Sequence, residues 1–241
     1  MLTVAKSFAI LKSYLKVQDD EIFSKLHQYY ELIEQENKSY NLTGFYDERL
    51  IKEGIIESIL IFDEINTKIF NFENKDVLDI GSGAGFPIIP YFIYNPVFKL
   101  TIFEPQQKRA NFLKLVAEKL NLSNIKVKAT RAEDDKSAEK FDFISARAVS
   151  ELKNLVEISH HLGKINSTFC FLKSKNYLAE IANAKWISNK LNINFDIVKL
   201  QRFFEIDNVL VCYKKHDSTP ADIPRNWSQI IKDNLTKGKK T

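Results

Sequence analysis

Cysteine, methionine and glycine are scarce in this chain of 241 residues, at two, one and seven copies. Cys170 and Cys212 each lie inside an apolar run, which excludes a disulfide framework and favours buried, reduced thiols. The four histidines (His27, His160, His161 and His216) show no ligand spacing with these cysteines, so no metal is expected. No apolar run of roughly eighteen residues occurs, which excludes a helical membrane span. Lys6, Lys12 and Lys16 break up the N-terminus, so no secretory signal is read there and a cytoplasmic location is expected. Internal repeats and long low-complexity segments are also absent.

What remains is ordinary for a globular protein able to bury a large core, as one domain or a main domain with a smaller companion. The net charge of +4 is unevenly spread. From Lys214 onward seven basic residues (Lys214, Lys215, Arg225, Lys232, Lys237, Lys239 and Lys240) face only Asp217, Asp222 and Asp233, so the final stretch carries the whole excess. A basic 215–241 tail on a balanced body suits an anionic partner such as RNA, although solvated tails are often lysine-rich without one.

Three of the few glycines stand at every second position in Asp76-Val77-Leu78-Asp79-Ile80-Gly81-Ser82-Gly83-Ala84-Gly85-Phe86. The apolar run reads as a buried strand, the glycines as a turn that lets backbone approach a ligand, and Ala84 onward as a helix. A dinucleotide fingerprint wants glycine at its first, third and sixth positions. Here the sixth is Phe86 and the third glycine comes one residue early, which weakens a dehydrogenase reading. The Asp-x-Gly-x-Gly-x-Gly form instead resembles motif I of the S-adenosylmethionine-dependent methyltransferases.

Residues 1–70 read as a helical subdomain. Asp19 and Asp20 can cap a helix that places Ile22, Phe23, Leu26, Tyr30 and Ile33 on one face, and a second helix opens after Asp47. Between them Tyr40-Asn41-Leu42-Thr43-Gly44 reads by itself as a plain loop. From Asp76 strands alternate with helices, with strands near 76–80, 99–104, 125–129, 141–145, 165–173, 194–200 and 208–213. Helices are expected near 84–94, 107–121, 151–162 and 176–190, the third capped by Ser150 and stopped by Gly163. The short link from Gln201 to Asp207 makes the last pair antiparallel. The expected fold is therefore α/β and Rossmann-like: a seven-stranded, mostly parallel sheet over 71–214 with helices on both faces.

Ligands bind beyond the carboxyl ends of such strands, and polar residues gather there. Glu104 follows Gly85 by 19 residues, where an acid can accept both hydroxyls of an adenosine ribose. Ala132 and Glu133 are placed for the adenine ring, with capping of a helix an equal alternative for Glu133. Arg147, in Ile144-Ser145-Ala146-Arg147-Ala148, suits a carboxylate or phosphate in a cleft. Lys108, Arg109, Arg131 and Lys173 could line the same rim and meet an RNA backbone, with Trp227 available for stacking.

Together, Asn41-Leu42-Thr43, the 77–87 run ending in Phe86-Pro87, Lys108-Arg109, Arg131-Ala132-Glu133 and Ser145-Ala146-Arg147-Ala148 resemble the glucose-inhibited division protein B family over about residues 20–215. The resemblance implies a class I methyltransferase that modifies guanine N7 in the decoding-region loop of 16S ribosomal RNA. Its partner would be 16S RNA or the small ribosomal subunit, and the enzyme is expected to be a monomer. It also implies that Gly81, Phe86, Ala132, Glu133 and Arg147 contact S-adenosylmethionine, alongside Gly83, Gly85 and Glu104, and gives Asn41 and Thr43 an RNA-binding role. Four positions depart from the family pattern. Gly54 stands for a common histidine, Glu57-Ser58 for aspartate–serine, Ile88 for a glycine and Glu104-Pro105 for aspartate–serine. Two other readings stay open: a methyltransferase of the same fold with a non-RNA substrate, and a non-catalytic RNA-binding module.

Overall fold

The computed structural model describes residues 1–204 and 208–237; the side chains of 234–237 are not described, and Lys239 and Lys240 of the basic stretch lie outside the described residues. Seven strands form one sheet in the order β3-β2-β1-β4-β5-β7-β6. They are β1 (Asp76–Ile80), β2 (Lys99–Phe103), β3 (Ile125–Lys128), β4 (Phe141–Arg147), β5 (Gly163–Lys173), β6 (Asp196–Lys199) and β7 (Val209–Lys214). Strands β1 to β5 run parallel, and β7 pairs antiparallel with both β5 and β6. The direction of the sequence order reverses between β1 and β4, which is where an open α/β sheet leaves a crevice for ligands.

Because neighbouring strand residues point to opposite faces, Val77, Phe143 and Leu210 enter one core while Leu78, Ile144 and Val211 enter the other. The first core is covered by α1 (Val4–Tyr14), α2 (Asp20–Asn37), α4 (Glu57–Lys68), α5 (Ile88–Tyr94) and α6 (Gln107–Lys119). A short α3 (Asp47–Arg49) and a π-helical stretch at Leu50–Ile56 lead into α4. The helical first 70 residues share this core with the sheet: Phe62 packs edge-on and Phe70 tilted against Phe143 of β4, with ring centroids 6.3 and 5.0 Å away. Each buried ring contributes about 1.5–3 kcal/mol by leaving water. Asp19 caps α2 as expected, accepting from the N–H groups of Glu21 and Ile22.

The second core is covered by α7 (Leu152–Ser159), α8 (Tyr177–Asn183), α9 (Lys185–Leu191) and α10 (Trp227–Lys237). The last helix is no free tail over its described length, since Ile223 and Ile230 are buried against this core. No helix among the described residues is long and apolar enough to cross a membrane.

Three local expectations are corrected, and a fourth gains a second reason. The helix expected from Ala84 begins at Ile88, because three alternate residues with positive φ take up the chain through Gly85. Ser150 does not cap α7: its hydroxyl accepts from Asn154, and the Leu152 N–H is held by Glu180 Oε2 at 2.7 Å. Gly163 ends the helical stretch as expected, directly after a 3-10 turn at His160–Leu162, and is also the first residue of β5, with φ −80°. A β-carbon there would lie 2.3 Å from Ser167 Oγ, so glycine is required for space. Finally, the helix expected over 176–190 is two, joined at buried Ala184, whose ψ of −1° interrupts the run.

Candidate functional site

The turn after β1 is built on backbone that side chains resist. Gly81 has φ +70° and Gly85 φ +107°. A β-carbon on Gly81 would come 2.5 Å from Val149 Cγ2, and one on Gly85 would come 2.6 Å from the Tyr29 hydroxyl, which donates to Ala84 O. The buried carboxylate of Asp79 ties this turn to β4, accepting from the Ser82 hydroxyl and, at 2.6 Å, from the Ser145 hydroxyl.

Burial, helped by the neighbouring negative charge of Glu104, pushes the Asp79 carboxyl up to about 7 against the two serine hydrogen bonds that lower it. A carboxyl whose folded pKa lies above its unfolded value binds protons more tightly when folded. Its stabilising contribution is complete below about pH 4 and is lost as pH rises to about 7. Buried His160, pushed down to about 3, acts in the opposite sense over part of this window. Comparison of wild type with Asp79→Asn isolates the Asp79 share. The variant should gain in melting temperature relative to wild type between about pH 4 and about pH 7; a constant difference across that range would refute the assignment.

Beyond the turn lies a cavity of about 640 Å³, bordered by Gly81, Glu104, Ala132, Glu133, Arg131 and Trp227 among others. Glu104, 2% exposed, accepts from the Gly83 N–H through Oε2 (3.0 Å) and from the Gln106 N–H through Oε1 (2.9 Å). Each oxygen keeps a lone pair for a further donor. The side chain of Glu133 is 4% exposed, and its Oε1 has no hydrogen-bond partner; the Arg131 guanidinium stands 4.0 Å away. Burial raises the pKa of this carboxyl. An unsatisfied buried acceptor at a cavity wall fits a donor brought by a ligand, since leaving it unpaired is costly.

A second cavity of about 450 Å³ adjoins the first, and Ala148 and Val149 border both. Arg147 lies here, outside the first cavity. It donates from NH1 to Glu57 Oε2 at 3.3 Å, while Asn208 Nδ2 donates to Glu57 Oε1 at 2.9 Å. Glu57 is fully buried. Lys173 also borders this cavity, but its ammonium is engaged by Glu180 Oε2 and Ser150 O at 2.7 and 2.8 Å.

The residues singled out from the sequence therefore divide between several places. Gly81, Glu104, Ala132, Glu133, Arg109 and Arg131 border the first cavity, and Arg147 and Lys173 the second. Gly83 and Gly85 shape the turn, and Phe86 faces the N-terminal helices, packing edge-on against Tyr29 and Phe45. Gly54 makes room for it: a β-carbon at 54 would be 2.9 Å from Phe86 Cζ. Lys108 lies over the Tyr40 ring at a separate cleft. Asn41 is exposed on a loop whose Leu42 and Thr43 N–H groups are held by Asn37 Oδ1. Sequence reasoning missed Val149 and Asn208, and Trp227, read there as available for stacking, borders the first cavity. Only Glu57, an acid amid Ile55, Ile56 and Ile59, carried a readable signal.

The rRNA small subunit methyltransferase G family model (GidB) matches residues 22–202. A Mycoplasma mobile protein named ribosomal RNA small subunit methyltransferase G is 46% identical over 197 residues, covering 81% of this chain and 84% of its own. Its namesake in Mycoplasmopsis pulmonis is 40% identical over 213 residues, covering 87% and 91%. Among solved structures, a SAM-dependent methyltransferase from Aquifex aeolicus superposes with a TM-score of 0.53 at 18% identity, covering 66% of this chain and 91% of its own. TYW2 from M. jannaschii, solved with AdoMet, gives 0.51 at 15% identity, covering 66% and 76%. These two share the fold.

Proposed function

The chain belongs to the rRNA small subunit methyltransferase G family, and on that footing we propose that it methylates 16S ribosomal RNA, transferring the methyl of S-adenosylmethionine to N7 of a guanine in the decoding-region loop. The observation that carries the reading is the pair of adjoining cavities at the carboxyl edge of the sheet, one with buried carboxylates and the other with Arg147.

The first cavity fits the nucleoside part of the cofactor. Glu104 offers its free lone pairs to two ribose hydroxyls, Glu133 Oε1 offers an acceptor to an exocyclic amino group, and Ala132 and the Gly81 backbone line the approach. Gly83, Gly85 and Phe86 act by holding the shape of the turn. Bound there, S-adenosylmethionine supplies an electrophilic methyl on a sulfonium. Guanine N7 presents an in-plane lone pair, so no residue has to remove a proton before attack.

The work of this chain is then positioning, which removes much of the entropic barrier. Arg147, oriented by Glu57, presents its guanidinium to the second cavity, where it suits a guanine carbonyl or a phosphate. Arg109 and Arg131 at the rim, Lys108 at its separate cleft, and the loop carrying Asn41 and Thr43 are assigned to the RNA. Lys173 acts indirectly, because its charge is committed to Glu180.

The test is methyl transfer from radiolabelled S-adenosylmethionine to small subunits from a strain lacking the protein, followed by mapping of the modified base. Label on guanine N7 in the decoding-region loop is expected. Label on another base, or none with cofactor binding intact, would overturn the assignment of substrate.

A further inference from the structure

The chain beyond residue 202, outside the span matched by the family, returns to the first cavity. It is anchored on α7 by Arg225, whose Nε and NH2 donate to the two oxygens of Glu157 at 2.6 and 2.9 Å, and which also pairs with Asp233. Glu157 is buried, and the Arg225 guanidinium also lies 5.4 Å from the Trp186 ring centroid. Ile223 and Ile230 on either side are buried in the second core.

Between these anchors Trp227 behaves differently. Its indole is only partly covered, borders the cavity, and has the Arg131 guanidinium 5.7 Å from its centroid. Glu133, with its unpartnered Oε1, borders the same cavity. A partly bare aromatic face, a cation and an unsatisfied acceptor around one cavity match the needs of a purine: a surface to cover its ring and an acceptor for its amino group.

We propose that residues 220–237 form a strap that completes the cofactor site, with Trp227 as an aromatic wall against the adenine of S-adenosylmethionine. The proposal rests on the reading of the first cavity as the cofactor site. Trp227 is thereby a binding residue for the cofactor.

Trp186 and Trp227 are the two tryptophans of the chain, so Trp186→Phe leaves Trp227 as sole reporter. Titration of this full-length variant with S-adenosylhomocysteine should change its emission, saturating at the Kd found by calorimetry. Trp227→Leu, which keeps apolar bulk, and Trp227→Ala should each weaken binding about tenfold or more, and Trp227→Phe should restore most of the affinity. Calorimetric binding with no change in Trp227 emission, or a wild-type Kd in Trp227→Leu, would overturn the strap while leaving the cofactor site standing. Failure of the wild-type chain to bind S-adenosylhomocysteine at all would overturn both.

Discussion

Glu104→Ala is expected to weaken S-adenosylhomocysteine binding by about a hundredfold, the loss of two hydrogen bonds to a charged acceptor at about 1.5 kcal/mol each. The same change orphans the N–H groups of Gly83 and Gln106, which Glu104 holds at 3.0 and 2.9 Å. At about 1–3 kcal/mol for each orphaned donor, the melting temperature should fall by about 5 °C or more. Glu104→Gln is the sharper variant. An amide has one oxygen, and both carboxylate oxygens already accept from backbone, so glutamine must turn its NH2 toward an N–H donor. It should therefore fail to rescue either property. Wild-type affinity in Glu104→Gln would show that the carboxylate has no part in ligand binding.

The second large effect concerns Arg147. Arg147→Ala leaves the fully buried Glu57 with Asn208 alone, and an uncompensated buried carboxylate costs about 3–5 kcal/mol. With the Arg147 side chain 22% exposed, the lower end of that range is expected. Methyl transfer should fall about a hundredfold, mainly through weaker binding of cofactor or RNA. Arg147→Lys keeps the charge without the planar fork and should recover stability more than turnover. Glu57→Gln offers the complementary test, since it preserves the hydrogen-bonding shape and releases the arginine. Thermal melting, KM and kcat measured together separate the two contributions. Binding of both ligands at wild-type strength with failure only in the chemical step would move Arg147 from positioning to chemistry, and unchanged melting would remove Glu57 as its partner.

The parallel sheet was legible because its central strands are short apolar runs that end in glycine or charge, as in Val77 to Ile80 before Gly81. The polar residues placed at strand ends gathered for the same reason: topology alone brings Gly81, Glu104 and Glu133 to one edge. Local backbone detail was less legible. Positive φ at three alternate glycines delays a helix that composition would start at Ala84, and Ala184 divides the helix expected over 176–190. Least legible were partners that meet only after folding. Asn208 reaches Glu57 across 151 residues, and Arg225 reaches Glu157 across 68. Neither periodicity nor motif spacing carries information at that range, which is why the place of Trp227 could not be read in advance.

Ala148 and Val149 separate the two cavities, and Val149 presses on the backbone of Gly81 so closely that no side chain fits between them. This partition is a shared boundary condition for two equilibria. An occupant that displaces Val149 alters the walls of both compartments, and linkage requires the resulting coupling to be the same in each direction. The factor by which cofactor changes RNA affinity must equal the factor by which RNA changes cofactor affinity. On the proposed placement of cofactor in the first cavity and RNA in the second, a two-residue wall sets whether the ligands assemble independently or in concert.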